Sequence, residues 1–394
     1  METRPPIYLD YNATTPIDPA VLAAMQPYLA THFGNASSGH PYGRAAHAAV
    51  DAARGQVAAL LGCAADEIVF TGGGTESDNQ AIIGVALAHR DRGDHLVTTE
   101  IEHPAVLESC RYLEQRLGFR VTRVPVTGDG RVEPAAVEAA LTPRTVLVSV
   151  MHAQNETGVL QPVAEIAARA RRRGVLLHTD AAQSVGKVPV DVNVLGVDLL
   201  AVAGHKLYAP KGIGVLYVRR GTLLDPYLHG AGQEGSRRAG TENVASIVAL
   251  GAACAIARER LAADGPRLAA LRDRLAAALV AAGWVQNGHP TERLPNTLNV
   301  SLEGVWGEEV LRRAPEVAAA TGSACHSGSP EPSAVLLAMG LSPARALGAL
   351  RLSLGRGTTQ ADVDRAAAAL VAAGRATQSA ASAAAGAEPA AKRI

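Results

Sequence analysis

Short apolar runs alternate with longer alanine-rich stretches along the first 220 residues of the chain. The runs are rich in β-branched residues and leucine, which favours strands, whereas stretches such as residues 162–174 favour helices. The predicted strands cover residues 67–71, 94–100, 120–126, 145–152, 174–180, 197–203 and 214–220. Alternation of this kind predicts a mostly parallel sheet with helices on both faces, and such sheets bind ligands at the carboxyl ends of their strands.

The pattern changes in the second half of the chain. A long Ala/Leu/Arg stretch, residues 244–282, predicts a helix that bridges two lobes, and "LPNTLNVSLEG" and "ALRLSLGR" predict strands of a smaller α+β unit. We therefore predict an α/β fold: a large domain, residues 16–261, with a seven-stranded, mostly parallel sheet, and a small domain formed by residues 1–15 and 262–375. The Ala/Ser-rich residues 376–394 have little to bury and predict a flexible tail.

Composition narrows the class of protein. The 394 residues are 48% apolar, and 37 basic residues balance 37 acidic ones, so charge gives no reason to expect a nucleic acid or membrane partner. The start "METRPPIYLDYNATTP" lacks the apolar core of a secretory signal, and no apolar run is long enough to span a bilayer. The four cysteines show no C-x-x-C spacing, so we expect reduced thiols, a cytoplasmic protein and no metal site.

A glycine-rich segment, "GGGTESDN", follows the first predicted strand of the sheet. Glycines let backbone amides approach a ligand closely, and the free N–H groups of the helix that begins at Gly74 and Thr75 suit a phosphate. The segment matches neither the Walker pattern nor G-x-G-x-x-G. Taken alone, a glycine-rich segment at the start of a helix is more often structural than ligand-binding.

Other polar residues follow the later strands: His103, Asn155, Asp180 and Gln183. Each has a structural alternative, such as a helix cap, a turn residue or a surface imidazole. Their shared position at one sheet edge favours a ligand site instead. A phosphate loop, a carboxylate, an aromatic ring and a lysine in one pocket are the parts needed to hold pyridoxal phosphate.

The lysine of this set is Lys206, in "AVAGHKLYAPKGIGVLYV" directly after a buried strand. An unpaired charge is costly to bury there. The imine that a lysine forms with the cofactor as a Schiff base is easier to bury, in a hydrogen-bonded pocket, than an isolated ammonium group. Asp180 would keep the pyridine nitrogen protonated. His205 would reach the phosphate, or alternatively serve as a capping or core histidine.

Ten motifs between residue 7 and about residue 372 resemble those of the group I cysteine desulfurases of the NifS/IscS type. The motifs are "YLDYNATTP", "FGNASSGH", "GGGTESDN", "EIEHPAVL", "NETG", "HTDAAQSVGK", "GHKLYAPKGIGVLYV", "RRAGTENV", "TGSACHSGS" and "LRLSLGR". Several of them occur more loosely in other enzymes of the class V aminotransferase fold. The resemblance implies a pyridoxal-phosphate-dependent transferase of fold type I. It would convert L-cysteine to L-alanine and leave a persulfide on Cys325 for a sulfur-acceptor protein.

The resemblance also implies a role for each site residue. Lys206 would carry the cofactor and then remove the substrate α-proton, and His103 would stack on the ring and handle the thiol proton. The remaining roles are Asp180 at the ring nitrogen, Gln183 at the ring hydroxyl, Gly74, Thr75, His205 and Thr241 at the phosphate, and Asn155 and Arg351 at the substrate carboxylate. Because Thr241 would come from a partner subunit, the implied assembly is a homodimer with shared active sites.

Cys325 lies in "TGSACHSGSPEPS", whose Gly, Ser and Pro content predicts an exposed loop of the full group I length, unlike the shortened SufS-like form. Cys63, Cys110 and Cys254 lie in or beside apolar helical patterns and favour small buried side chains. The next residue, His326, could lower the thiol pKa if its ring lay near the sulfur.

The chain departs from the family where "AVAGHK" replaces "SFSGHK", so that Ala201 and Ala203 stand in place of hydroxyl residues. Loss of a hydroxyl at Ala203 would remove a phosphate hydrogen bond worth roughly 1.5–3 kcal/mol, so we expect weaker cofactor retention.

Two alternatives remain at this point. An aminotransferase or selenocysteine lyase would share Lys206 and Asp180, although Cys325 in a long loop favours a desulfurase. An inactive scaffold that docks sulfur-transfer partners would not need the lysine and the cysteine, and both are present. The sequence does not select between iron–sulfur cluster assembly, tRNA thiolation, cofactor sulfuration and DNA phosphorothioation as the destination of the sulfur.

Overall fold

The computed structural model of the chain describes residues 5–321 and 331–386. Its strands are β1 (Ile7–Tyr8), β2 (Ile68–Thr71), β3 (His95–Thr99), β4 (Arg120–Val124), β5 (Thr145–Ser149), β6 (Leu176–Asp180), β7 (Leu199–Ala203), β8 (Gly214–Val218), β9 (Val285–Gln286), β10 (Thr297–Ser301), β11 (Val317–Ala318) and β12 (Ala349–Ser353). Its helices are α1 (Pro19–Ala30), α2 (Pro41–Leu61), α3 (Gly74–Ala88), α4 (Pro104–Leu117), α5 (Pro134–Ala140), α6 (Val163–Arg172), α7 (Val192–Leu195), α8 (Val244–Ala281), α9 (Gly307–Arg313), α10 (Ala334–Ala338), α11 (Pro343–Leu347) and α12 (Gln360–Gly386).

The main sheet contains seven strands in the order β2-β8-β7-β6-β5-β3-β4. The neighbouring pairs from β7 to β4 are parallel, and β8 is antiparallel to both β7 and β2. The expected seven-stranded, mostly parallel sheet is therefore confirmed, and each strand predicted from an apolar run is present within two or three residues of its expected bounds. The carboxyl ends of all strands except β8 meet at one edge.

Helices cover both faces of this sheet. Successive residues of a strand point to opposite faces, so both faces carry apolar side chains that the helices bury. On β7, Leu199 packs in one buried cluster with residues of α3 and α4, and Leu200 packs in another with residues of α2, α6 and α8. Strands buried on both faces need continuous apolar runs, which explains why their sequences show no polar alternation.

A second unit contains the antiparallel sheet β12-β10-β9 and the parallel pair β1 and β11. Helix α8 joins the two units: Ile247 and Leu250 near its start belong to the large core, and Leu275 and Leu279 near its end belong to the small one. The predicted bridging helix has this position. The proposed domain boundary at residue 261 falls inside α8, which is continuous there.

The structure differs from the sequence prediction at the end of the chain. Helix α12 continues to Gly386, so residues 376–386 are helical where we expected a flexible tail. Alanine has the highest helix propensity, and Thr377 is buried with its hydroxyl donated to the Ala373 carbonyl at 2.8 Å, which ties the first of these turns to the small core. No helix in the described ranges combines the length and apolarity needed to cross a membrane.

Candidate active site

Nine residues that the sequence singled out line a single cavity of about 290 Å³ at the carboxyl edge of the main sheet. They are Gly74, Thr75, His103, Asn155, Asp180, Gln183, His205, Lys206 and Arg351. A larger cleft, about 850 Å³, lies between α2 and residues 231–242, but none of these nine residues lines it. The shared sheet edge therefore does bring the polar residues together, as the strand order requires.

One end of the cavity is formed by the turn between β2 and α3. Gly73 has a φ of 146°, which favours glycine, and a Cβ on Gly74 would lie 3.2 Å from the Cβ of Ala203. Two contacts hold the turn in place. The Gly72 N–H donates to the Glu76 carboxylate at 2.8 Å, and Glu76 pairs with Arg238 at 2.8 Å. The start of α3 thus presents unshielded N–H groups to the cavity, as an anion site requires.

Asp180 ends β6 and is buried, and its Oδ1 accepts the N–H of Ala182 at 2.8 Å. Behind it lies a pair that the sequence did not reveal, in which Asp78 Oδ1 is 3.4 Å from His178 Nε2. Burial raises the pKa of Asp78, with Asp180 and Glu102 adding to the effect, and burial lowers the pKa of His178 to about 4. Both shifts favour a neutral pair, in which the Asp78 carboxyl group is protonated and the His178 imidazole is uncharged.

Lys206 lies on the short turn Gly204–Lys206 that follows β7. Within the described residues its ammonium group has no hydrogen bond or ion pair, and it faces the cavity. Burial lowers the pKa of Lys206, the Asp180 carboxylate opposes this shift, and the Arg351 guanidinium adds to it. An amine with these surroundings is more often neutral, and so more nucleophilic, than an exposed lysine.

His103 and His205 both line the cavity. His103 caps α4, where its Nδ1 accepts the Ala105 N–H at 3.1 Å, so in the neutral ring the proton is on Nε2. Burial lowers the pKa of His103, against the influence of Asp180. Burial, Lys206 and Lys211 lower the pKa of His205 to about 4. Both imidazoles are therefore neutral near pH 7.

Arg351 brings the small unit into the site from strand β12. Its Nη2 lies 2.8 Å from Asp10 Oδ1, its Nη1 lies 3.4 Å from the Asn155 carbonyl, and its Nε is buried without a hydrogen-bond partner in the described structure. The guanidinium group is therefore oriented but retains an unused donor, which suits a carboxylate ligand.

Sequence reasoning missed Asn12 and Asp78, which line the cavity, and Lys187, which contacts two residues that line it. Asn12 and Asp78 lie inside motifs that were recognised, but their polar side chains had no distinguishing spacing. Thr241 is exposed and does not line the cavity of its own chain. Cys325 and His326 lie outside the described residues.

The fold and the site define a class of protein: the chain belongs to the class V aminotransferase family, whose model, described as "Aminotransferase class-V", matches residues 7–366. The chain is 50% identical over 364 residues to the cysteine desulfurase IscS of Anaeromyxobacter dehalogenans (strain 2CP-C), covering 91% of this chain and 90% of that relative. It superimposes on a solved NifS-like protein with a TM-score of 0.88 and 35% identity, covering 93% of this chain and 98% of that one. A structure of SspA in complex with cysteine gives a TM-score of 0.78 and 38% identity over 88% of this chain and 98% of that one. The resemblance drawn from the ten motifs is confirmed.

Proposed function

We propose that this protein is a cysteine desulfurase that converts L-cysteine to L-alanine and passes the sulfur, as a persulfide on Cys325, to an acceptor protein. The observation that carries the proposal is the half-buried amine of Lys206, which has no partner within the described residues and faces the cavity that also contains Asp180 and Arg351. The relative from Anaeromyxobacter dehalogenans carries the same activity in its name.

The residues of the cavity fit pyridoxal phosphate, on which this family depends. The α3 N-terminus supplies N–H groups for a phosphate, Asp180 supplies a buried carboxylate for a ring nitrogen, and Lys206 supplies an amine for the aldehyde. When bound, the cofactor supplies an electron sink that stabilises negative charge at the substrate α-carbon. We assign Thr75, His205 and Gly74 to the phosphate, Gln183 to the ring hydroxyl and His103 to the ring face.

Arg351 and Asn155 would bind the substrate carboxylate. The pairing with Asp10 at 2.8 Å holds the guanidinium group in place, and its remaining N–H bonds would donate to the substrate carboxylate with the geometry that arginine favours. Since Arg351 lies on β12 and the amine lies beyond β7, the substrate would be held between the two units of the fold.

Two groups would move protons during the reaction. The Lys206 amine, with its lowered pKa, is suited to remove the α-proton as a general base. His103 is neutral with its Nε2 proton free of hydrogen bonds inside the described chain, so it can exchange a proton with the substrate thiol. The Cys325 thiolate would then attack the substrate sulfur: the carbon–sulfur bond breaks, a sulfur–sulfur bond forms, and L-cysteine plus the Cys325 thiol yield L-alanine plus the persulfide.

The residues on either side of Cys325 attach beside the substrate groups. On one side, the Arg351 N–H donates to the Ala320 carbonyl at 2.7 Å. On the other side, the Ser333 hydroxyl donates to Glu156 Oε2 at 2.6 Å, next to Asn155. These contacts of the flanking residues support the proposed role of Cys325, because the described chain ends and resumes beside Arg351 and Asn155.

The proposal is tested by peptide mass spectrometry after the holoenzyme is mixed with L-cysteine and its thiols are trapped by alkylation. We expect one extra sulfur on the Cys325 peptide of the wild type, and none in Lys206→Ala. A Cys325→Ser variant should still bind the cofactor but form no persulfide at any of the three other cysteines, which serve as internal controls. Turnover of cysteine without added sulfur on Cys325 would indicate a lyase or aminotransferase instead.

We also propose a homodimer in which Thr241 of the partner subunit reaches the phosphate region. Thr241 is exposed, and Arg238 of the same segment pairs with Glu76 at the start of α3. Co-expression of Lys206→Ala with Thr241→Ala chains tests this arrangement. A shared site places both defects in one of the two sites of a heterodimer and leaves the other intact, so activity should exceed that of either parent. Unshared sites would give no such recovery.

A further inference from the structure

A second lysine, Lys187, is half-buried next to the cavity. Its ammonium group donates to Asn12 Oδ1 at 3.0 Å and to Gln183 Oε1 at 2.9 Å. Within the described residues it has no carboxylate partner, and both of its acceptors belong to residues that line the cavity. In the part of the chain that the structure describes, the partners of this half-buried cation are therefore two neutral amides, whose orientation it can determine.

The hydrogen bonds determine how both amides are oriented. A side-chain amide can present either its oxygen or its nitrogen in a given direction, but an ammonium group can only donate. Lys187 therefore fixes the oxygens of Asn12 and Gln183 towards itself. The rest of the network agrees, because Asn12 Nδ2 donates to the Asn155 carbonyl at 3.2 Å and to Thr297 Oγ1 at 2.9 Å.

The consequence for Gln183 is a fixed donor at the cavity. One of its two N–H bonds goes to the Asn12 carbonyl at 3.0 Å, and within the described residues the other has no partner. We propose that Lys187 is a positioning residue that locks the Gln183 amide so that an N–H, never the carbonyl, meets the ring oxygen of the bound cofactor. This proposal rests on the proposed function, because it takes the cavity ligand to be pyridoxal phosphate.

The lock does not require that Lys187 be charged. Burial lowers the pKa of Lys187, and Lys206 and Arg351 add to that shift. A neutral amine has two N–H bonds, one for each amide oxygen, and one lone pair that could accept a hydrogen bond. The amides still keep their oxygens towards it, because the N–H bonds of Asn12 are directed to Asn155 and Thr297, and one N–H bond of Gln183 is directed to the Asn12 carbonyl. The turn also supports the contact, since Gly186 has a φ of 75° and precedes Lys187 directly.

The test compares wild type with Lys187→Met, both reconstituted with pyridoxal phosphate. A donor at the ring oxygen stabilises its anionic form, so losing the fixed donor should raise the midpoint pH of the absorption change of the bound cofactor by about 0.5–1 unit. Cofactor affinity of the apo protein should fall by about three- to tenfold, the range for one hydrogen bond. Arg173→Met, which removes an exposed cation at the end of α6 that does not line the cavity, should change neither quantity.

Four further variants separate positioning from a general structural role. Gln183→Leu should shift the midpoint as Lys187→Met does, and the double variant should shift it no further. Lys187→Arg, also a pure donor, should restore most of the wild-type midpoint. If Lys187→Met fails to fold, Lys187→Gln should give a smaller shift in the same direction, because its amide can donate in only some orientations.

An unchanged midpoint in Lys187→Met, or additive shifts in the double variant, would overturn the proposal. Its failure is distinguishable from failure of the proposed function. The absorption readout requires only that the wild type bind pyridoxal phosphate, whereas the persulfide test requires the complete reaction.

Discussion

Two neighbouring segments of the chain each carry a half-buried lysine to the same site, and they differ in how the lysine is bound. The β6 segment, residues 180–187, ends at Lys187, whose ammonium makes two hydrogen bonds. The β7 segment, residues 203–208, contains Lys206, which has no such bond inside the described structure and faces the cavity. The comparison indicates that the satisfied lysine orients other groups and that the unsatisfied lysine reacts.

The surrounding contacts explain the difference. The β6 segment is held by its own side chains: Asp180 accepts the Ala182 N–H, and the Ser184 hydroxyl lies 2.9 Å from His152 Nδ1. The β7 segment is held by backbone contacts, because the His205 carbonyl accepts the N–H and the hydroxyl of Thr15 at 2.9 Å each. His205 Nδ1 lies 3.2 Å from Thr14 Oγ1 and Tyr208 OH accepts the Arg356 N–H at 2.7 Å, whereas the Lys206 amine has no partner within the described residues. An unsatisfied amine in a half-buried position is costly, and such costs are found mainly at functional sites.

The largest expected effect comes from a substitution that strains both segments at once. Gly186 has a φ of 75°, and a Cβ there would lie 2.1 Å from the side chain of Leu207, the residue after Lys206. Gly186→Ala should lower the free energy of unfolding by about 2–5 kcal/mol, from backbone strain plus overpacking. Urea unfolding of the apo protein measures the change.

Gly174→Ala is the matched control for this substitution. Gly174 has a φ of 65° but no neighbouring atom within 4 Å of its Cβ position, so only backbone strain of about 1–2 kcal/mol is expected. If the two variants lose equal stability, the contact with Leu207 does not couple the segments.

A smaller effect is expected at the start of the β7 segment. Ala203 lines the cavity beside Gly74, and a hydroxyl there could donate to the cofactor phosphate. Ala203→Ser should tighten pyridoxal phosphate binding by about 1.5–3 kcal/mol, measured by titrating the apo protein. Ala201→Ser is the control, because Ala201 is fully buried and does not line the cavity. An equal gain in both variants, or none in Ala203→Ser, would contradict a phosphate hydrogen bond.

The two segments also show what the sequence can predict. Asp180, Gln183, His205 and Lys206 follow strands whose apolar runs are easy to recognise, so the topology of a parallel sheet was enough to place them together. Lys187 was not predicted because its partner Asn12 is 175 residues away in sequence and no local pattern records that contact. Arg351 could be assigned only by resemblance, since it reaches the site from the small unit.

The comparison of the two lysines can be sharpened by labelling their amines in the apo protein. Burial lowers the pKa of both, but only Lys206 faces the cavity. In a series of brief acetylation pulses at increasing pH, we expect Lys206 to react at lower pH than free Nα-acetyl-lysine in the same tube. Lys187 should remain the slower of the two at every pH, because its amine is hydrogen-bonded to Asn12 and Gln183. Mass spectrometry of the two peptides gives both rates, and pyridoxal phosphate should protect Lys206. If Lys187 were acetylated as fast as Lys206, its hydrogen bonds would not distinguish it, and the division into an orienting and a reacting lysine would fail.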